Sequence, residues 1–166
     1  MLLERGIAKC HNYTQRDIVL RVYDGDHLEE DFEKLRAVPS TSKEADVIDA
    51  FLTQIAESED ALWTLNKWSA EFSNPHFNCK AINCFQDSGY NIYRIRPLGR
   101  RISQFRILYA YDQHNDDYYL LAITIKKPDV LPLGATLNDY YDYEPNHPIS
   151  QRVRSEYERL GLPRLN

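Results

Sequence analysis

The sequence predicts an α+β fold: an N-terminal helical hairpin packed on a curled, mainly antiparallel four-stranded sheet, with a C-terminal helix. Three observations predict it. Apolar residues recur at spacings of three and four from Lys43 to Trp68. Four β-type runs lie between Lys80 and Lys126, separated by gaps of hairpin length. A last amphipathic stretch, Ile149 to Leu160, is stopped by Gly161 and Pro163. At 166 residues and 43% hydrophobic content the chain can fill one core, so residues 1–166 are read as one domain.

The elements follow in order. Asp17 to Tyr23 reads as a short strand closed by Asp24-Gly25-Asp26, and His27 to Ala37 as a brief acidic helix. Residues 1–42 are taken together as an acidic extension. Pro39-Ser40-Thr41-Ser42 breaks the chain and offers an N-cap at Thr41 or Ser42. Val47, Ile48, Phe51, Leu52 and Ile55 then mark an amphipathic helix. Glu57 to Asp60 interrupts it, and Leu62, Trp63, Leu65 and Trp68 mark a second helix folded back on the first. At helical spacing beside leucines, the two tryptophans are read as core, not as stacking platforms for bases.

Strands are expected at Lys80–Phe85, Tyr90–Arg96, Gln104–Tyr111 and Tyr118–Lys126, with Pro and Gly turns between them. Alternation puts Phe105, Ile107 and Tyr109 on one side of the third strand, and Arg106 and Leu108 on the other. In the fourth, Tyr119, Leu121, Ile123 and Ile125 form the apolar side. Helices are expected to cover that side, leaving the opposite face to solvent or a ligand. A Tyr-rich loop through Tyr140, Tyr141 and Tyr143 precedes the last helix.

Composition narrows the function classes. No run of about 18 apolar residues exists, so no membrane span is predicted. The N-terminus lacks a signal peptide's long apolar stretch, so a cytoplasmic protein with reduced thiols is expected. Cys79 and Cys84, five apart with His76 nearby, fall short of zinc spacing, and they are expected on opposite sides of a strand; no metal and no cofactor is predicted. Charge divides the chain: residues 1–60 carry −7, residues 61–93 are neutral, residues 94–127 carry +4 and residues 128–166 carry −2, giving −5 in all. A basic sheet in an acidic protein points to a polyanionic substrate.

The residues of that sheet carry a resemblance. Y-R-I-R at 93–96, Q-F-R-I-L-Y at 104–109 and L-L-A-I-T-I-K-K-P-D at 120–129, in that order, are similar to strands of the RelE/ParE toxin superfamily of bacterial toxin–antitoxin systems. The likeness spans about residues 43–130. It implies a metal-independent endoribonuclease that cuts mRNA, with the ribosome as the expected place of cleavage and a cognate antitoxin protein as partner. The alternatives are a non-catalytic inhibitor of DNA gyrase and a degenerate interaction module of the same fold.

Cleaving RNA this way needs an activated 2′-OH, a stabilised phosphate and a protonated leaving oxygen. The resemblance implies Arg106 as the phosphate clamp, since a guanidinium gives planar bidentate contacts to phosphate oxygens. Arg94 and Arg96 match neighbouring family cations, and Lys126 and Lys127 the cations after the last strand. Arg100 and Arg101 sit in a loop within reach of an RNA backbone. For general acid or base, Tyr140, Tyr141, Tyr143 and His147 are candidates that no motif separates; His147 and Tyr143 are taken forward. His114 is read as an exposed turn residue. Arg152, Arg154 and Arg159 are expected to pair with Glu156 and Glu158 within the last helix. The acidic run Asp24–Glu33 is either a solvated segment, the favoured reading, or a shield for the basic face.

Overall fold

The computed structural model describes residues 2–11, 17–66 and 74–166, so Trp68 lies outside the described residues. The elements are β1 (Leu3–His11), β2 (Asp17–Asp24), α1 (Leu28–Ala37), α2 (Ser42–Glu57), α3 (Glu59–Leu65), β3 (Phe77–Ala81), α4 (Asn83–Gln86), β4 (Ile92–Pro97), β5 (Phe105–Asp112), β6 (Asp117–Ile125) and α5 (Pro148–Arg159). The six strands form one mixed sheet in the order β1-β2-β6-β5-β4-β3. β2 runs parallel to β6, and the other pairs are antiparallel.

This corrects the predicted fold. Among the described residues the sheet has six strands, not four, and a β-hairpin precedes the helices. β1 escapes a reading by alternation because its register shifts between Glu4 and Gly6. There α2 crosses so closely that a Cβ on Gly6 would stand 3.1 Å from the Ala56 methyl. The first 37 residues thus supply two strands and a helix. β2 pairs centrally with β6, and Leu20, Val22, Leu28 and Phe32 are buried.

The helical pair itself is present. α2 buries Ala45, Ile48, Leu52 and Ile55 along one stripe, and only Ser58 separates it from α3. Ser58 ends one helix and caps the next, its Oγ accepting the Ala61 amide at 3.3 Å. The Thr41 hydroxyl instead donates to the Leu35 carbonyl at 2.7 Å, tying α1 to the turn.

Two local readings also change. β3 begins at Phe77, and Asn83–Gln86 coils into the single turn α4, because Ile82 and Phe85 must both reach the same core. In β6 a bulge opposite Leu108 and Tyr109 shifts the alternation. Tyr118, Leu120 and Ile123 therefore face one core, while Leu121 and Ala122 face the other. The single apolar side running from Tyr119 to Ile125 does not exist.

Both faces of the sheet are covered. α1, α2 and α3 pack on the first, over Leu20, Ile95, Ile107, Tyr109 and Tyr118. On the second, Ile92, Leu108, Ala110 and Leu121 lie under Phe85, Tyr141, Val153 and Tyr157. Every residue of β5 is consequently buried. The second face was expected to be open; α5 and the Tyr141 segment close most of it. No described helix is long and apolar enough to cross a membrane.

α5 is fastened by tertiary ion pairs in place of most of the expected intrahelical ones. Arg152 grips Asp31 of α1 with two bonds, at 2.8 and 2.7 Å. Asp31 also accepts the Ile123 amide at 2.9 Å, covering the edge of β6 past Leu120, the last residue paired with β2. Arg159 reaches Asp26 at 2.9 Å and Glu156 at 3.7 Å. Glu158 meets Arg164 at 2.7 Å, and Arg154 lies over the Phe85 ring.

Candidate functional site

The second face remains partly open at one end, and the cations gather there. In the β4–β5 ladder Arg94 stands opposite Leu108, which belongs to the second core. Side chains two residues apart on a strand share a face, so Arg96 and Arg106 lie on that side too. β3 places Lys80 opposite Arg94 and Asn78 opposite Arg96. Three adjacent strands thus bring Lys80, Arg94, Arg96 and Arg106 together. Among the described residues, none of these four has a carboxylate within salt-bridge distance.

Depth distinguishes the members. Lys80 and Arg96 are exposed and Arg94 is half-buried, with its Nη1 enclosed and unbonded. Arg106 is only 6% exposed. Its Nη1 donates to the carbonyls of Ser103 and Phe105, both at 2.7 Å. Burial lowers its pKa; Arg94 and Arg96 push the same way and Tyr143 opposes them. A guanidinium stays charged regardless. Arg106 therefore forms the rear of the cluster, while Lys80, Arg94 and Arg96 form its accessible front.

Tyr143 joins this group from the loop before α5. Its backbone is left-handed, with φ of 65°. Its carbonyl accepts the Cys84 thiol at 3.2 Å, and its ring meets Tyr141 edge to face at 5.1 Å. Burial raises the phenol's pKa, against the pull of Arg94 and Arg106, so it stays neutral at physiological pH. Such a group donates a hydrogen bond or a proton and is a poor base. Together Lys80, Ile82, Asn83, Cys84, Arg94 and Tyr143 line a cleft of about 260 Å³. Among the described residues, neither a carboxylate nor an imidazole lines it.

The other predicted residues go elsewhere. His147 is the N-cap of α5: its Nδ1 accepts the Ile149 amide at 3.1 Å, and its ring lies 5.1 Å from Tyr141. It lines a separate cleft with Asp31, Tyr140 and Arg152. Arg101 bonds Glu44 at 3.1 Å, and with Arg100 it borders a cleft of about 610 Å³ between α2 and the β4–β5 loop. Lys126 is exposed just past the end of β6, two residues beyond Thr124, the cross-strand partner of Arg106. Lys127 adds to the positive field that, with backbone bonds, lowers the Glu144 pKa against burial. His114 is exposed in its turn.

The acidic run does not shield the basic front. Asp24 bonds Arg5, Asp31 bonds Arg152, Glu29 bonds Arg36 and Glu30 bonds His27. Cys79 and Cys84 are separated by the sheet, Cys79 donating to the Thr64 carbonyl at 2.9 Å in the first core. Lys80, Asn83 and Cys84 were absent from the predicted site. A strand begun at Phe77, with Phe77 and Cys79 inward, turns Asn78 and Lys80 to the arginine side; that phase was the available signal.

Comparison with family models, with curated proteins and with solved structures finds no match to this chain.

Proposed function

We propose that the chain binds RNA through the phosphodiester backbone at the basic front and cuts it without a metal, as the toxin of a toxin–antitoxin pair. One observation carries the reading: Lys80, Arg94 and Arg96, from two neighbouring strands and backed by Arg106 on a third, face one side without a described carboxylate to neutralise them. Cations so placed are self-repelling, and a bound phosphate relieves them. Guanidinium groups also suit the charge that builds on a phosphate during attack by the adjacent 2′-OH, whose proton passes to solvent water. Neutral Tyr143, against Arg94 and Arg106, is the residue placed to protonate the leaving oxygen. The partner antitoxin would cover the same front.

A second reading has its own support. Among the described residues the cleft lining holds no carboxylate and no imidazole to take the 2′-OH proton. That favours binding without cleavage, as in a gyrase inhibitor or an interaction module.

Incubating the purified chain with a labelled single-stranded RNA in EDTA separates the two. Cleavage is expected to leave 2′,3′-cyclic phosphate ends and to slow about a hundredfold in Arg94→Ala. RNA retained but intact selects the binding reading. RNA neither retained nor cut removes the proposal.

A further inference from the structure

Resting on the proposed phosphodiester site, we infer that the adjoining cleft accepts one nucleobase, so that the site takes a single-nucleotide unit and not merely a phosphate. The phosphate would sit on Lys80 and Arg94, which lie opposite each other on β3 and β4. The base would enter against the Tyr143 ring, with the Asn83 amide at its edge.

Size is the first argument. Drug-sized ligands occupy clefts of about 300–1,000 Å³, whereas this one measures about 260 Å³, suited to a smaller flat group. Lining chemistry is the second. A half-exposed aromatic ring, Tyr143, and the partly exposed Cys84 offer apolar contact to a ring face. Asn83 is exposed and carries both a donor and an acceptor, which the edge of a base requires. Rigidity is the third. Tyr143 is held by the Cys84 thiol at its carbonyl and by the buried Tyr141 ring, so the platform exists before a ligand arrives. Arg106 stands behind, already bonded to two carbonyls, and sets the field without needing to touch the ligand.

Titrating the full chain with inorganic phosphate and with the four nucleoside 3′-monophosphates, by calorimetry or two-dimensional NMR, tests this. At least one nucleotide is expected to bind about tenfold tighter than phosphate, the range base stacking supplies. Lys80→Ala should weaken phosphate and nucleotides by a similar factor. Asn83→Ala should compress the spread among the four bases and leave phosphate unmoved; both residues are exposed, so these variants keep the fold. Phosphate binding as tightly as every nucleotide would overturn the base cleft while leaving the phosphate site standing. Nucleotide binding indifferent to both substitutions would place the ligand elsewhere. If neither phosphate nor nucleotide binds, the inference falls together with the reading it rests on.

Discussion

The β5–β6 ladder ends in opposite charges, and the two ends handle self-repulsion differently. At one end Asp112 pairs in register with Asp117, next to Asp116. Asp112 accepts the His114 amide at 2.9 Å and the Asn115 side chain at 2.7 Å, and Asp116 accepts the Tyr111 hydroxyl at 2.6 Å. Asp117 keeps an enclosed Oδ1 without a bond, and its pKa is pushed up to about 6. Burial is the main cause; Arg21 opposes it, while Asp112, Asp116 and Glu4 add to it. At the other end stand Arg106, Arg96, Arg94 and Lys80. Carboxylates relieve crowding by taking protons, but guanidinium groups have no such release. Below about pH 6 a proton thus settles the acidic end, whereas the basic end is lowered in free energy only by an anion from outside. That difference separates a strained turn from a site.

A cation that is already neutralised supplies the sharpest contrast. Arg152 is half-buried and bonded twice to Asp31, which raises its pKa despite burial. Asp31→Asn should cost about 3–5 kcal/mol in urea unfolding, because it strands the Arg152 charge in a low-dielectric site. Replacing both residues by leucine should recover part of that loss, since the Ile123 amide still loses its acceptor. Full stability in Asp31→Asn would show that enclosed cations here tolerate isolation, and the case for the basic end as a site would weaken.

The acidic end predicts the reverse sign. Folding raises the Asp117 pKa from 3.8 to about 6, so the native state holds the proton more tightly than the unfolded chain. Stability should therefore fall as pH rises from about 4 to about 6 and stay lower above that. Asp117→Asn removes the charge and should stabilise by about 1–2 kcal/mol at pH 7.5, a gain that fades toward pH 4. Thermal unfolding across this range reads the effect directly. A gain that persists at pH 4 would assign it to packing, not to charge.

How much of this was legible depends on how local each signal is. The α2 stripe from Val47 to Ile55 and the meander through Arg94, Arg106 and Ile123 are written in nearby residues, and periodicity finds them. β1 was missed because Gly6 and the close approach of Ala56 break its alternation, a constraint set by a helix fifty residues away. The bulge at Leu121 is likewise a tertiary feature, and one inserted residue reverses every later assignment on β6. Arg94 and Arg96 share a strand face by period two, but Arg106 joins them only through the β4–β5 register. The removal of His147 and Arg101 was not legible, because helix capping and the Glu44 bond depend on which elements meet.

The smallest effect is the most direct probe of the basic end. Arg96 is exposed and, among the described residues, bonded to no carboxylate, while Arg106 lies close enough to feel its charge. Arg96→Gln keeps most of the stem and removes one like charge, so stability should rise slightly, by less than about 0.5 kcal/mol. RNA affinity should fall, and the slope of log affinity against log salt should shallow by about 0.7, the share of one phosphate contact on a single strand. Stability and binding then move in opposite directions, as expected where folding tolerates repulsion that a ligand relieves. A slope identical to wild type would mean that Arg96 touches no phosphate, and the front would contract to Lys80 and Arg94.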